Sequence, residues 1–324
     1  MDSTIDEAQT ALVNEIADLE SRLQRAKERL AKSKPANTNS SSQSLTGPLS
    51  AQSAHHYLLL LSDSALPLGS FAFSSGLESY LAHTRRSRSA GPSTSTSAAS
   101  TSSSSFSSFL PLSLSSYAST TLPFVLAAHR DPSPDNVAYL DDTLDAAIIC
   151  TVGRRASVAQ GRALLSIWEK SIAASVDPSS SSLKPYADLL RSSSTSTFSS
   201  TGAGGSGSGG EKDGDSEREP PPASAHLAPL FGAVAALCGL SPRQTSYVFM
   251  LNHVKALVSA AVRAGLFGPY HAQRILAGSE VQTYLESTIE REWDTPVEEA
   301  GQSVPVMDLW IGRHELLYSR IFNS

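Results

Sequence analysis

The spacing of apolar positions divides the chain into helical stretches separated by polar ones. Over residues 1–34, Ile5, Leu12, Leu19 and Ala26 recur every seven positions, with Ile16, Leu23 and Leu30 between them. Such an a/d seam, interrupted by Gln9, predicts a coiled-coil-like helix that pairs chains, docks a partner or rests alone as an amphipathic helix. Pro35 ends it, and residues 35–54 read as a disordered polar linker. A short apolar turn follows from Tyr57 to Leu61 and stops at Ser62-Asp63-Ser64, whose side chains compete for backbone hydrogen bonds. Pro67 and Gly69 predict a kinked loop carrying Phe71 and Phe73. Ser75 and Glu78 have the spacing of a capping box, opening a helix through Leu77, Tyr80 and Leu81.

Further on, Leu110, Leu112, Leu114, Tyr117, Leu122, Phe124 and Leu126 predict a helix over 109–128, kinked near Pro123. The longest candidate runs from Pro134 to about Ala174, with Leu144, Ile148, Thr151, Arg155, Val158, Leu165, Trp168 and Ile172 on one face. Arg155 interrupts that stripe, so its charge either meets a carboxylate inside the fold or faces a partner. Gly161 weakens the helix and predicts the close approach of a neighbouring backbone. Helix resumes over His226–Gly239, and Ser241-Pro242 opens another that runs to Ala264. Gly265 closes that one, and Gly268-Pro269 starts a last long helix through Ile289. No alternating strand pattern appears. The expectation is an all-α, compact bundle of about seven to ten helices.

Composition changes this picture in two places. Residues 87–108 and 176–225 are too rich in serine, threonine and glycine to bury much apolar surface, and read as disordered insertions in one domain over 55–324. The glycine run near 202–210 lacks a preceding strand and any GK[ST], so it reads as linker rather than a nucleotide loop. Removing these stretches from 324 residues leaves one core's worth of chain. A net charge of −6 gives no basic field for nucleic acid. Cys150 and Cys238, far apart in helical sequence, fit buried thiols of a reducing compartment. No apolar run is long enough for a membrane span, and the acidic start fits neither a signal nor a transit peptide, so a cytoplasmic protein is expected.

Candidate chemistry is sparse. Ser62 and Asp63 are adjacent, but no G-x-S-x-G elbow surrounds the serine. His55, His56 and His314 offer imidazoles, which suit nickel, without ligand spacing. Two segments need cover: the apolar loop around Phe71 and Phe73, and the aromatic terminus from Pro305, with Trp310, Tyr318 and Phe322. The terminus docks on its own domain or on a partner.

Four stretches resemble the UreF family of urease accessory proteins. LLLLSDSALPLGSFAFSSGLE is similar to its opening motif, L-x-x-S-x-x-L-P-x-G-G-F-x-x-S-x-G-L-E. RRASVAQGRALL resembles the mid-chain R-x-x-S-x-Q-x-G-x-x-L-L pattern, SAAVRAGLFGPYHAQRIL a later Arg/Gly/Gln stretch, and RHELLYSRIFNS the C-terminal R-H-E-x-x-Y-S-R-L-F-x-S. The chain departs from the pattern at Ser70, Ala72, Phe73 and Ala264, and the N-terminal extension and serine-rich insertions have no counterpart in it. The resemblance implies an all-helical homodimer with no catalysis of its own and no tightly bound cofactor. Such a protein binds a UreD/UreH-type accessory protein, recruits the GTPase UreG and helps deliver nickel to apo-urease. It also implies partner-binding roles for Phe71, Phe73, Ser74, Gly76, Leu77 and Glu78, and for His314, Glu315, Tyr318, Ser319, Arg320 and Phe322. The middle motifs add Arg155, Gln160, Arg263 and Gln273. Regulation of the GTPase, with Arg155 or Arg263 supplying charge to the transition state, is the alternative.

Overall fold

The computed structural model describes residues 51–63, 66, 68–89, 98–176, 182–198 and 223–323. The expected 1–34 helix, most of the 35–54 linker and the bend at Pro67 lie outside them. The described residues contain no strand, one α-helical turn at Ala173–Val176 and eleven longer α-helices. They are α1 (Ala51–Ser62), α2 (Leu77–Ser89), α3 (Ala98–Arg130), α4 (Pro134–Ala147), α5 (Thr151–Ile167), α6 (Lys184–Phe198), α7 (Leu227–Leu237), α8 (Pro242–Arg263), α9 (Pro269–Ala277), α10 (Ser279–Glu292) and α11 (Val306–Arg313). Beyond Ile167, α5 continues through a π-helical turn, Trp168–Ile172, that leaves both Trp168 and Ile172 buried.

The bundle is built on α3, which packs against α4, α7, α8 and α10. Phe109, Leu114, Ala118, Leu122 and Phe124 are completely buried along it. Its partner α7 is buried on nearly every side, and Gly232 permits the contact: a β-carbon there would lie 2.2 Å from the Val125 carbonyl oxygen. Pro123 sits inside α3. Having no N–H, it cannot bond the carbonyl four residues back, at Ser119. That oxygen instead accepts the Gly301 N–H at 3.1 Å, and Ser303 Oγ and N bond Ser119 Oγ at 2.9 and 3.3 Å. The helix defect thereby becomes the dock for the segment leading into α11.

Several local expectations hold. Ser241-Pro242 opens α8 as expected, with Ser241 and Gln244 adding a reciprocal capping box, and Gly265 ends it at φ 73°. At Gly161, a β-carbon would stand 2.0 Å from the Ala225 carbonyl oxygen, the close backbone approach its place in the helix predicts.

Others need correction. The serine-rich stretch is helical from Ala98, eleven residues before the expected helix start, because Phe106 and Phe109 bury there. The second insertion contains α6, held by buried Leu183, Tyr186 and Ala187. The single helix expected over 134–174 is broken at residues 148–150. Arg154 explains the break, since its guanidinium donates to the Asp145 and Ile148 carbonyls at 2.7 and 3.0 Å, capping the end of α4. The helix expected from Pro269 to Ile289 divides at Gly278.

Two predictions follow from this packing. Gly161→Ala should destabilise the fold by about 1–3 kcal/mol, because backbone rather than a flexible side chain must move; chemical denaturation measures it. The second concerns His253, which is buried against the Tyr117 ring (centroids 3.9 Å apart) with Ser113 Oγ 3.0 Å from its Nε2. Burial pushes its pKa down from 6.5 to about 3. The unfolded chain therefore binds a proton below pH 6.5 that the fold refuses, and stability falls as the pH drops from there towards 3. Between pH 7 and pH 5 that amounts to about 2 kcal/mol, which His253→Gln should remove from the pH profile.

Candidate functional site

Two left-handed residues in succession, Ser75 (φ 49°) and Gly76 (φ 86°), turn the opening loop into α2. A side chain at Gly76 would be strained by its backbone and would also meet the tail. Its β-carbon would lie 3.1 Å from Ile311 Cγ1 and 3.2 Å from the Ile311 backbone nitrogen. Just beyond it the expected Ser75/Glu78 capping box does not form. The Glu78 N–H instead reaches Ser74 Oγ at 3.4 Å, and the Glu78 carboxylate turns to the C-terminus. There it accepts the Ile321 N–H at 2.8 Å, the Phe322 N–H at 3.3 Å and His314 Nε2–H at 2.9 Å. A carboxylate offers only lone pairs, so three converging donors match it well.

Other contacts complete the clasp. Asn323 N–H donates to the Ala72 carbonyl at 2.8 Å. Arg263 donates to the Phe71 carbonyl and lies over the Phe322 ring, 4.4 Å from its centre. Trp310 stacks edge-on with Tyr80 at 4.8 Å. The tail thus docks on its own domain. Arg155 is exposed at the surface of α5, where it pairs with Glu315 of the tail, rather than lying on a buried stripe.

These contacts divide the expected partner-binding residues into two groups. Ser74, Gly76, Leu77, His314 and Phe322 are buried, and Glu78 is spent on the clasp. Tyr318, Ser319, Arg320 and Glu315 are exposed, as are Phe71 and, unforeseen, Leu316 and Ile321. Phe73 and Gln160 are half-buried, and the Gln160 amide donates to the Ala156 carbonyl at 3.2 Å. Gln273, exposed on α9, makes no hydrogen bond to the clasp among the described residues. His55 and His56 are exposed, and the described residues gather no group of three potential metal ligands. Cys238 is buried, which pushes its thiol up to about 12.

A second polar cluster escapes sequence reading, because its members are up to 85 residues apart. The fully buried Asp141 accepts the backbone N–H groups of Ser224, Ala225 and His226 at 2.6, 3.0 and 2.6 Å. Beside it, His226 bonds Asp145 and Ser157. Ser157 and Gln160 line a cavity of about 320 Å³ between α3, α5 and α11, whose walls also include Cys150, Met307 and Ile311.

Comparison with known proteins agrees with the motifs. The UreF family model matches residues 100–280. The chain is 33% identical over 276 residues to an uncharacterized urease accessory protein UreF-like of Schizosaccharomyces pombe, an alignment covering 85% of this chain and 99% of that protein. It is 30% identical to urease accessory protein F of Oryza sativa subsp. indica, over 81% of this chain and 82% of the relative. The Arabidopsis thaliana urease accessory protein F is 28% identical, over 82% and 90%. No described helix is long and apolar enough to cross a membrane. On a match of this extent, carried by an all-helical fold, the chain belongs to the UreF family of urease accessory proteins.

Proposed function

We propose that this chain is a non-catalytic adaptor in the maturation of apo-urease, holding a UreD/UreH-type protein and the GTPase UreG together while nickel, the cargo, passes through the complex. It works in the cytoplasm as a homodimer. The observation that carries this reading is the tail: clasped from within by Glu78 and Arg263, it still turns Leu316, Tyr318 and Ile321 into solvent. Exposed side chains of this kind, next to Phe71, have the character of a protein contact. Fixing the tail before a partner arrives lowers the ordering cost of binding.

Regulation of the GTPase keeps one specific support. Arg155 has 65% of its side chain exposed and is tethered by a single carboxylate, Glu315. An ion pair of that exposure contributes about 0–1 kcal/mol, so a partner could draw the guanidinium away at little cost.

Co-purification with the cognate UreD-type protein tests the adaptor reading. Tyr318→Ala and Ile321→Asp should weaken the complex about tenfold or more while leaving the fold intact. Removing the chain from Arg313 onward should abolish it. Undiminished binding by all three would remove the tail from the interface. For the second reading, GTP turnover by UreG in the complex should be unchanged by Arg155→Ala if the chain is only an adaptor. A fall of about a thousandfold would instead identify an arginine finger.

A further inference from the structure

Away from the tail, the fold leaves a second recessed surface unassigned. Helix α8 packs against both α1 and α10, and an open groove of about 900 Å³ is bounded by the three. Its floor is a stripe of α8, Tyr247, Val248 and Leu251, continued by Ile289 of α10. Leu58 and Leu59 of α1 form one wall, with Leu59 at the lip and 56% exposed. The other wall is the face of α10 that carries Glu286 and Glu290. No residue of the tail lines this groove.

The two walls differ in charge. Glu290 is answered by Arg243, which bonds its carboxylate at 2.6 Å and lies over the Trp293 ring, 4.3 Å from its centre. Glu286, one turn earlier, is exposed and enters no ion pair among the described residues. The lining therefore holds two carboxylates against one guanidinium, all at the α10 side, facing an apolar wall on α1. An extended segment laid here would bury backbone N–H and C=O groups against a floor of side chains that cannot pair them, and the described residues offer no strand edge to join. A helix bonds its own backbone and asks only for an apolar stripe. From Arg243 to Leu251 the floor is about 12 Å long, room for two turns of such a helix.

We propose that this groove receives an amphipathic helix of a partner protein, with apolar residues three and four apart on one face and lysine or arginine along one edge of it. The apolar stripe rests on Tyr247, Leu251 and Leu59, and the basic edge runs along α10, where Glu286 meets it. Burial of the stripe supplies the affinity. The charge at the open lip adds little to that, but it selects a basic helix over an acidic one and fixes which edge faces α10. The groove is a docking surface separate from the tail, and its occupation does not depend on the adaptor reading.

The probe is a fluorescein-labelled synthetic peptide of about eighteen residues, long enough to form a helix, with leucine at every third or fourth position and lysine beside it. Its counterpart carries glutamate in place of lysine. Fluorescence anisotropy with the full chain should give a Kd of about 10 μM or tighter for the lysine helix and binding about tenfold or more weaker for the glutamate helix. Glu286→Lys and Leu59→Arg, both at exposed positions, should each weaken the lysine helix about tenfold or more, and Glu286→Lys should bring the two probes level or reverse them. Tyr318→Ala should leave probe binding unchanged, so this proposal and the tail's role fail separately. Equal binding of the two probes, or indifference to both groove substitutions, would overturn the proposal. So would photocrosslinking of Leu59→p-benzoylphenylalanine, in the full chain without probe, to residues 1–34 or to a second copy, because the groove would then belong to the chain itself.

Discussion

A buried carboxylate gripping three successive backbone N–H groups is the contact the rest of the molecule depends on. Asp141 is completely buried on α4, and its oxygens receive the N–H groups of Ser224, Ala225 and His226. A charge at that depth is tolerable only because its lone pairs are met by donors. The chain enters here from a long stretch rich in serine and glycine and must become the central helix α7 within a few residues. Asp141 sets the point and angle of entry. Its grip holds Ala225 at φ 69°, a conformation costing of order 1–3 kcal/mol for a residue with a side chain. Gly161 supplies the room, since any side chain there would strike the Ala225 carbonyl. Tyr186 of α6 is buried beside the same acid, and burial together with the Asp141 charge raises its phenol above the ordinary range. An apparently superfluous insertion therefore contributes a helix to the most constrained point of the fold.

The same device recurs at the other end of the chain. Glu78 receives the backbone of Ile321 and Phe322 as Asp141 receives that of residues 224–226. In a helical bundle, segments that are not helical have no regular partner for their N–H groups, and leaving them unpaired at a buried position costs about 1–3 kcal/mol each. Carboxylates presented from neighbouring helices resolve this, and they fix the path of the irregular segment as they do so. Pro123 is the converse case, a helix that gives up one of its own bonds so that the Ser119 carbonyl can hold Gly301.

This pattern explains what could be read in the sequence. Local signals were legible: the Ser241-Pro242 helix start, the terminating Gly265 and the helix-weakening Gly161 each act within a few residues of themselves. The all-helical character was equally plain from periodicity. Signals failed where a distant group overruled a nearby one. The stripe through Ile148 and Arg155 is continuous on paper, but Arg154 caps α4 and breaks it. Glu78 has capping spacing with Ser75, yet three donors from residues 314–322 outcompete one local N–H. Asp141 carries no sequence mark at all, being one acid among several on a surface-like helix, because its ligands are more than 80 residues away.

The division between clasp and surface also decides how substitutions around the tail should be interpreted. Gly76, Leu77, Glu78, His314 and Phe322 stand in motifs that suggest contact with partners, yet each is occupied by the chain itself. Changing them releases the tail, and any loss of binding is then the entropy of re-ordering a dozen residues rather than a missing contact. Tyr318, Arg320 and Ile321 are different: they are exposed and carry little of the fold. Arg263 belongs to the first class despite its exposure, because its guanidinium joins the Phe71 carbonyl to the Phe322 ring and so ties both ends of the domain together. Recognition and folding are thus written in adjacent residues of the same motifs, and the direction of each side chain decides which of the two it serves.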